Sequence, residues 1–141
     1  MPPLVSVVLP VHNGGHYLAE AVGSILEQSH QRFELLLVDD HSSDGAIAAL
    51  DRSDTRLRIL ASERRGVSHA FNTGWRESRG ECIARMDADD LAAPCRLQRQ
   101  RELVRADPSL GIPGARVDFF ASDGVGQGNR VYRDWLNALL S

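Results

Sequence analysis

Short apolar runs rich in β-branched residues alternate with amphipathic stretches along most of this chain, and this order restricts the folds that it can adopt. The runs LVSVVLP (4–10) and FELLLVDD (33–40) resemble strands that are buried on both faces of a parallel sheet. RLRILAS (56–62) and ECIARM (81–86) predict two more strands. Parallel neighbours need long crossovers, which helices usually supply. The order therefore predicts an α/β domain with a mostly parallel sheet and helices on both faces.

Five stretches between and after these strands have the apolar spacing or the end signals of helices. They cover residues 14–30, 42–51, 66–80, 93–108 and 130–141, with Ser42 or Ser43 as the cap of the second. One more strand is predicted near 115–121, followed by a glycine-rich loop. Trp75, in the third helix, is expected in the core.

Composition excludes several classes of function. A length of 141 residues fits one domain, 1–141, and a net charge of −3 argues against nucleic acid as a partner. All 16 basic residues are arginine, which excludes a lysine base, a Schiff base and a P-loop lysine. Cys82 and Cys95 lack metal-ligand spacing and are expected to be reduced thiols. The N-terminal apolar run is too short to span a membrane, so the expected location is cytoplasmic.

Polar residues follow three of the predicted strands at the point where each strand ends. The first strand leads into Pro10 and His12, the second into Asp39 and Asp40, and the fourth into the acidic run 87–90. In open α/β sheets, ligands bind outside the carboxyl ends of the strands. A single aspartate there is often only a helix cap or a turn residue. Three aspartates in four positions exceed what a cap needs, and they indicate a ligand.

The acidic run MDADD (86–90) has the chemistry of a site for a hard divalent cation. Mg²⁺ and Mn²⁺ prefer oxygen ligands, and they bridge one or two carboxylates to phosphate groups. Closely spaced carboxylates also repel one another unless a cation or water screens them. The run therefore predicts a metal ion that holds a diphosphate.

The segments VSVVLPVHNGGHYLAEAVGSILEQSHQRFELLLVDDHSSDG (5–45) and RGVSHAFNTGWRESRGECIARMDADDLAAPCRLQRQ (65–100) resemble one known family. They are similar to the nucleotide-sugar-binding half of inverting family 2 glycosyltransferases, which have the Rossmann-like GT-A fold. The resemblance covers about residues 4–110. It implies metal-dependent transfer of a sugar from a nucleotide-diphosphate sugar, with UDP-sugars favoured, to a hydroxyl group in glycan, polysaccharide or glycolipid synthesis. The implied cofactor is Mn²⁺ or Mg²⁺.

The resemblance also assigns roles at the nucleoside end of the site. Pro10 and His12 correspond to the base pocket at the end of the first strand. Asp40 corresponds to the acid that reads the base, and Asp39 to a support of the same turn. Gly66 corresponds to the loop that closes over the nucleoside.

At the diphosphate end, the family's DXD motif corresponds to Asp87 and Asp89. The resemblance places Asp87 near the ribose and the metal, and Asp89 on the metal that bridges the diphosphate, with Asp90 beside them. Two residues depart from the family's usual pattern. Arg64 replaces a common asparagine and His12 a frequent tyrosine, which leaves the identity of the base open.

Family members deprotonate the acceptor with an acid from the second half of the domain. Asp118, Asp123 and Asp134 lack the motif expected around that base. The resemblance therefore implies a donor-binding portion, truncated at its C-terminus, whose catalytic base is not in this chain. The alternative is a non-catalytic nucleotide-sugar-binding remnant or a module that docks to a partner. A response-regulator receiver, the other class with an acidic strand end, would need a lysine.

Two surfaces suggest partners. Arginines at positions 96, 99, 101 and 105 predict a solvated helix face. The alternatives are contact with an anionic membrane, at its inner face, or with the missing second half of the domain. Phe119, Phe120 and Trp135 are expected to pack on a missing second half, or to drive homo-oligomerisation if they are exposed.

Overall fold

The computed structural model describes residues 5–120 and 124–139, which contain four strands and four helices. The strands are β1 (Val5–Val11), β2 (Phe33–Asp39), β3 (Leu57–Ala61) and β4 (Cys82–Arg85). The helices are α1 (Tyr17–Leu26), α2 (Val67–Glu77), α3 (Arg96–Ala106) and α4 (Gln127–Ala138). The strand order is β3-β2-β1-β4, and every neighbouring pair is parallel. The predicted α/β class and the parallel sheet are confirmed.

The chain divides into two compact units, Met1–Gln98 and Arg99–Ser141. The first unit holds the whole sheet with α1 and α2, and the second holds α4. Within the described residues, no helix is both long enough and apolar enough to cross a bilayer.

The side chains of β1 and β2 alternate between two apolar clusters, one on each face of the sheet. Because successive side chains of a strand point to opposite faces, one strand can serve both clusters. The larger cluster joins Val7, Leu9, Leu35 and Leu37 to Leu18, Ala21 and Ile25 of α1. The smaller cluster joins Val8, Leu36 and Val38 to Ala70 of α2. Helices therefore cover both faces, as the apolar runs predicted.

Gly74 allows α2 to lie directly against the sheet. A Cβ atom at this position would be 2.4 Å from Cγ1 of Val8 and 3.0 Å from Cγ2 of Val38. Any side chain would therefore push the helix away from the strands. Gly66, which immediately precedes α2, contributes to the site described below.

Glu34 has a buried carboxylate on the face of the sheet that α2 covers, near the amino ends of the strands. The sequence did not indicate that this residue is buried. Glu34 Oε1 accepts hydrogen bonds from Ser6 Oγ and from the Arg79 backbone N–H, each at 2.7 Å. Arg58 Nη1 lies 3.0 Å from Glu34 Oε2. Burial raises the pKa of Glu34, but these hydrogen bonds and the Arg58 charge outweigh burial and lower it. The group ties β1, β2 and β3 to the segment that leads into β4.

The predicted helix at 42–51 is wrong, and with it the caps assigned to Ser42 and Ser43. Gly45 has a φ of +76°, and residues 46–50 form turns with a single i to i+4 hydrogen bond, from Ala49 N to Gly45 O. The left-handed Gly45 interrupts the predicted stretch near its start, and only residues 46–51 of that stretch follow it, which is a short segment for a helix.

The predicted strand near 115–121 is also wrong for residues 115–120, and residue 121 lies outside the described residues. The backbone N–H and C=O of Val117 instead pair with the side-chain amide of Asn137, each at 2.8 Å. The last helix begins at Gln127, within the stretch predicted as a loop. Trp75 is 58% exposed and is not a core residue.

We expect Gly74→Ala to lower the free energy of unfolding by about 1–3 kcal/mol, because the added methyl group overpacks the contact with Val8. The control is Gly23→Ala in α1, where a Cβ meets nothing within 4 Å. This change should raise stability by about 0.5–1 kcal/mol, because alanine is the better helix former. Urea denaturation measures both, and equal effects of the two substitutions would contradict the packing described.

Candidate functional site

The polar residues predicted at the strand ends meet at one edge of the sheet. β1 lies between β2 and β4, and strands are about 4.8 Å apart, so the ends of β2 and β4 lie about 10 Å apart. Asp40 follows β2 directly, and Asp87 comes two residues after β4. The two acidic stretches thus flank the end of β1 and face a shared space beyond the sheet.

Asp40 is the buried acid of this edge, with 8% of its surface exposed. Its two carboxylate oxygens accept hydrogen bonds from the backbone N–H of Gly66 at 3.1 and 2.9 Å. His41 Nδ1 lies 3.3 Å from Oδ1. Burial raises the pKa of Asp40, but the bonds from Gly66 and His41 outweigh burial and lower it. Asp40 is thus an ionised carboxylate that fixes the loop before α2.

His12 is exposed to solvent and is hydrogen-bonded to the backbone of Asp40. Its Nδ1 lies 2.7 Å from the carbonyl oxygen of Asp40. A carbonyl can only accept, so Nδ1 carries the proton and donates. Asn13 Nδ2 approaches the other ring nitrogen, Nε2, at 3.4 Å. The exposed ring is therefore held in one orientation at the mouth of the site, while Pro10 is buried within β1.

The loops after β1 and β2 are joined by hydrogen bonds between side chains and backbone. Asn13 N donates to Ser42 Oγ at 3.0 Å, and Ser43 N donates to Asn13 Oδ1 at 2.8 Å. Asn13 has a φ of +50°, a conformation that asparagine tolerates better than most residues. Asp39 Oδ1 accepts from Ser42 N at 2.8 Å, which supports the turn. These contacts preorganise the edge.

Residues 87–90 form a tight turn in which the carboxylates differ in environment. Asp90 N donates to Asp87 O at 3.2 Å. The Asp87 carboxylate accepts from Arg85 Nη2 at 3.1 Å, whereas Asp89 is exposed and makes no ion pair with any described residue. Desolvation raises the pKa of Asp90, and the charges of Asp87 and Asp89 raise it further. The turn therefore holds unneutralised negative charge.

Arg96 at the start of α3 neutralises part of the negative charge of this turn. The sequence did not indicate this role. Arg96 was expected on a solvated helix face. Instead, its Nη2 donates to the carbonyl oxygen of Arg85 at 2.8 Å and its Nη1 approaches Met86 Sδ at 3.3 Å. Burial lowers the pKa of Arg96, and attraction from Asp90 and Asp87 offsets this in part. The guanidinium holds the chain where β4 leads into the acidic turn.

The acidic turn fits a divalent cation that is only partly coordinated by protein. No group of three or more histidine, cysteine or acidic residues within 5–120 and 124–139 is arranged to hold a metal ion. The turn offers exposed carboxylate oxygens, which hard cations prefer. Mg²⁺ in particular keeps several waters and takes the remaining ligands from phosphate groups. The donor set therefore suits a cation that arrives with a phosphorylated ligand.

A concavity lies between the end of β3 and α2. It has a volume of about 370 Å³ and borders the loop that leads to Gly66. Its polar lining includes Arg64, His69, Asn72 and Arg76. Arg64, where the sequence departs from the usual residue of the resembling family, thus lies in the lining of this concavity.

In the second unit, Arg133 pairs with two of the acids that were considered as a base. Arg133 Nη1 lies 2.8 Å from Asp118 Oδ1, and Nη2 lies 2.8 Å from Asp134 Oδ1. The hydrogen bond from Arg133 lowers the pKa of Asp118. A carboxylate that is held in this way is a poorer proton acceptor. Asp123 lies outside the described residues.

Comparison with known proteins identifies the family to which this arrangement corresponds. The model of "Glycosyl transferase family 2" matches residues 6–138. The glycosyltransferase GlyG of Streptococcus pneumoniae is 34% identical over 88% of this chain and 42% of its own length. The Escherichia coli enzyme named UDP-Glc:alpha-D-GlcNAc-diphosphoundecaprenol beta-1,3-glucosyltransferase WfgD is 35% identical over 72% of this chain and 41% of its own. The chain spans about two fifths of the length of these relatives.

Solved structures agree on the fold. The mannosyltransferase PcManGT of Pyrobaculum calidifontis, in complex with GDP-Man and Mn²⁺, superposes with a TM-score of 0.70 at 31% identity. The match covers 79% of this chain and 34% of that one. Staphylococcus aureus TarS with UDP gives a TM-score of 0.68 at 21% identity over 80% and 39% of the two chains. The predicted GT-A fold is confirmed.

Asp40→Asn should destabilise the protein by about 1–3 kcal/mol at pH 7, because the amide places an N–H against the Gly66 N–H. The folded-state pKa of Asp40 is lowered, so its stabilisation is full above its unfolded pKa, about 3.9, and is lost as pH falls through the folded pKa. The cost of the substitution should therefore shrink below about pH 4. Denaturant titrations at pH 7 and at acid pH measure this cost, and a cost independent of pH would contradict the role given to the carboxylate.

Proposed function

The chain belongs to glycosyl transferase family 2, and from that premise we propose that it binds a nucleotide-diphosphate sugar together with Mn²⁺ or Mg²⁺. UDP-sugars are the favoured donors. The observation that carries this proposal is that two acidic groups lie at the same edge of the sheet. Asp40 is ionised and accepts a hydrogen bond from the Gly66 backbone, and the turn at 87–90 has negative charge that the protein only partly neutralises. This portion of the chain would hold the donor while its sugar is transferred, with inversion, to a hydroxyl acceptor.

The base and the ribose would occupy the β1 and β2 end of the site. His12 would offer an oriented ring for stacking. The ionised carboxylate of Asp40 would accept a hydrogen bond from an N–H of the base. About a tenth of the Asp40 side chain is exposed, which is enough for an edge contact. Gly66 and Arg64 would border the base from the β3 side. Asp39 contributes indirectly, through its bond to Ser42.

The diphosphate would lie against the acidic turn, with the cation between them. Asp89 is the proposed metal ligand because its carboxylate is exposed and unpaired among the described residues. Asp87, already shared with Arg85, is proposed near the ribose and the metal. A divalent cation there would stabilise negative charge on the departing diphosphate. The Mn²⁺ that accompanies GDP-Man in the PcManGT complex supports this choice of metal.

The acceptor-activating base is proposed to lie outside this chain. Arg133 pairs with both Asp118 and Asp134, and its hydrogen bond lowers the pKa of Asp118, which makes Asp118 a poorer proton acceptor. The alternative, a non-catalytic donor-binding module, rests on the same observation. WfgD is named for a diphosphoundecaprenol-linked acceptor, and we extend this to a lipid-linked acceptor at the inner face of the cytoplasmic membrane for this chain.

Isothermal calorimetry with UDP should show binding that requires Mn²⁺ or Mg²⁺. Asp89→Asn should weaken binding in the presence of metal by at least about tenfold, because it removes a charged ligand of the cation. Asp107→Asn is the matched control, since Asp107 is an exposed aspartate of the second unit that bonds only Ser109 and its neighbouring turn.

Chelation with EDTA should reduce the affinity of the unmodified protein to that of Asp89→Asn. Metal-independent binding of equal strength would contradict the assignment of Asp89. Release of UDP from a sugar donor should be negligible for this chain alone. Robust transfer to an added acceptor would instead show that a competent base lies within residues 1–141.

A further inference from the structure

The concavity between the end of β3 and α2, the β3–α2 groove, has no role in the proposed donor site apart from that of Arg64. Its volume of about 370 Å³ lies within the range of roughly 300–1,000 Å³ that small-molecule sites occupy. In the described sheet, β2 and β1 lie between β3 and β4. The groove is therefore on the side of the sheet away from the acidic turn, where the metal is proposed.

One face of α2 supplies polar side chains along the whole groove. The side chains that line it recur three or four positions apart: His69, Asn72, Thr73 and Arg76. Ala70 and Gly74, by contrast, are the buried residues of this helix. The helix rises by about 10 Å from His69 to Arg76. Hydrogen-bonding groups are thus available over the length of a small polar ligand.

Arg76 gives one end of the groove a positive charge that the protein does not neutralise. The residue is exposed and makes no ion pair with any described residue. Its neighbour Glu77 also lines the groove, but the Glu77 carboxylate lies 3.2 Å from Nη2 of Arg58, which also pairs with Glu34. Glu77 is therefore bonded to Arg58 and not to Arg76, which keeps its N–H donors for a ligand.

The rest of the lining mixes hydrogen-bond donors with acceptors. Glu63 is exposed, and no cation within 5–120 and 124–139 pairs with it. The Asn72 amide can donate and accept, and the His69 ring has at least one N–H donor. The hydroxyl groups of Ser62 and Thr73 already donate to backbone carbonyls, so their oxygens remain as acceptors. This mixture suits a ligand with several hydroxyl groups, because each hydroxyl both donates and accepts.

We propose that the β3–α2 groove binds a sugar phosphate. Arg76 would hold the phosphate, for which a planar guanidinium provides two parallel N–H donors. The sugar would lie along α2 towards Glu63, with hydroxyl groups bonded to Asn72 and to the Glu63 carboxylate. The proposal does not rest on donor binding at the sheet edge, because none of these three residues belongs to that site.

Residue-resolved NMR of the whole chain, titrated with glucose 1-phosphate in the presence of EDTA, tests the proposal. We expect the amide signals of residues 60–64 and 69–77 to shift, with a dissociation constant of about 1 mM or below. Signals of residues 87–90 should stay in place, because without a cation the acidic turn repels a phosphate. Inorganic phosphate and glucose, added separately, should each bind at least about tenfold more weakly, because each engages only part of the groove.

Three variants assign the contacts, with circular dichroism to verify folding. Arg76→Gln should weaken binding of glucose 1-phosphate by at least about tenfold, because it removes the charged donors to the phosphate. Glu63→Ala should weaken binding of glucose 1-phosphate without weakening that of inorganic phosphate. Arg79→Gln is the matched control, since Arg79 is an exposed arginine three positions after Arg76 that does not line the groove. Its affinity for glucose 1-phosphate should be unchanged.

Several results would overturn the proposal. One is the absence of shifts at residues 69–77 with about 10 mM glucose 1-phosphate, and another is shifts confined to residues 87–90. Equal losses in Arg76→Gln and Arg79→Gln would show general charge attraction without a site. Equal affinity for glucose 1-phosphate and inorganic phosphate would overturn the sugar phosphate as the ligand. Affinity for UDP with Mg²⁺ should be unchanged in Arg76→Gln, and a loss there would show that the groove is part of the donor site.

Discussion

The bond between the Asp40 carboxylate and the Gly66 backbone N–H is the contact on which the candidate site depends. It connects the end of β2 to the loop before α2, while the Asp40 backbone connects the same point to the end of β1 through Val11 and His12. A buried carboxylate without donors would be costly, and this one is stabilised by donors that also fix the loop. The part of the candidate site that is proposed to hold the nucleotide base is therefore preorganised.

The negative charge of the acidic turn, in contrast, is not fully neutralised by the protein. Its three carboxylates share only partial compensation, from Arg85 at the surface and from Arg96 behind the end of β4. Desolvation raises the pKa of Asp90, and the neighbouring charges of Asp87 and Asp89 raise it further. The Asp40 carboxylate is thus satisfied by protein donors, whereas the acidic turn keeps negative charge that the proposed cation would neutralise. That division fits a ligand whose base is read by the protein and whose diphosphate is held through a metal.

The strands and their parallel order were predictable because continuous β-branched runs have few alternatives between helical stretches. The position of the site followed from the same order, since parallel strands bring their carboxyl ends together. The predictions that proved wrong depended on local backbone geometry or on contacts with residues distant in the sequence. The helix at 42–51 was lost to a left-handed Gly45, and residues 115–120 pair with a side chain of α4 where a strand was expected. Nothing in the local sequence marks Arg96 as the arginine that turns inwards.

Residue-resolved NMR of the amide groups, with UDP and metal added in turn, tests the placement of the nucleotide and the cation most directly. We expect UDP with a diamagnetic metal to shift the amide signals of Gly66 and of the residues after β1 and β2. Substitution of Mn²⁺ should then broaden the signals of residues 87–90 first. Broadening confined to the groove between β3 and α2, with residues 87–90 unaffected, would contradict the placement of the metal and of the diphosphate.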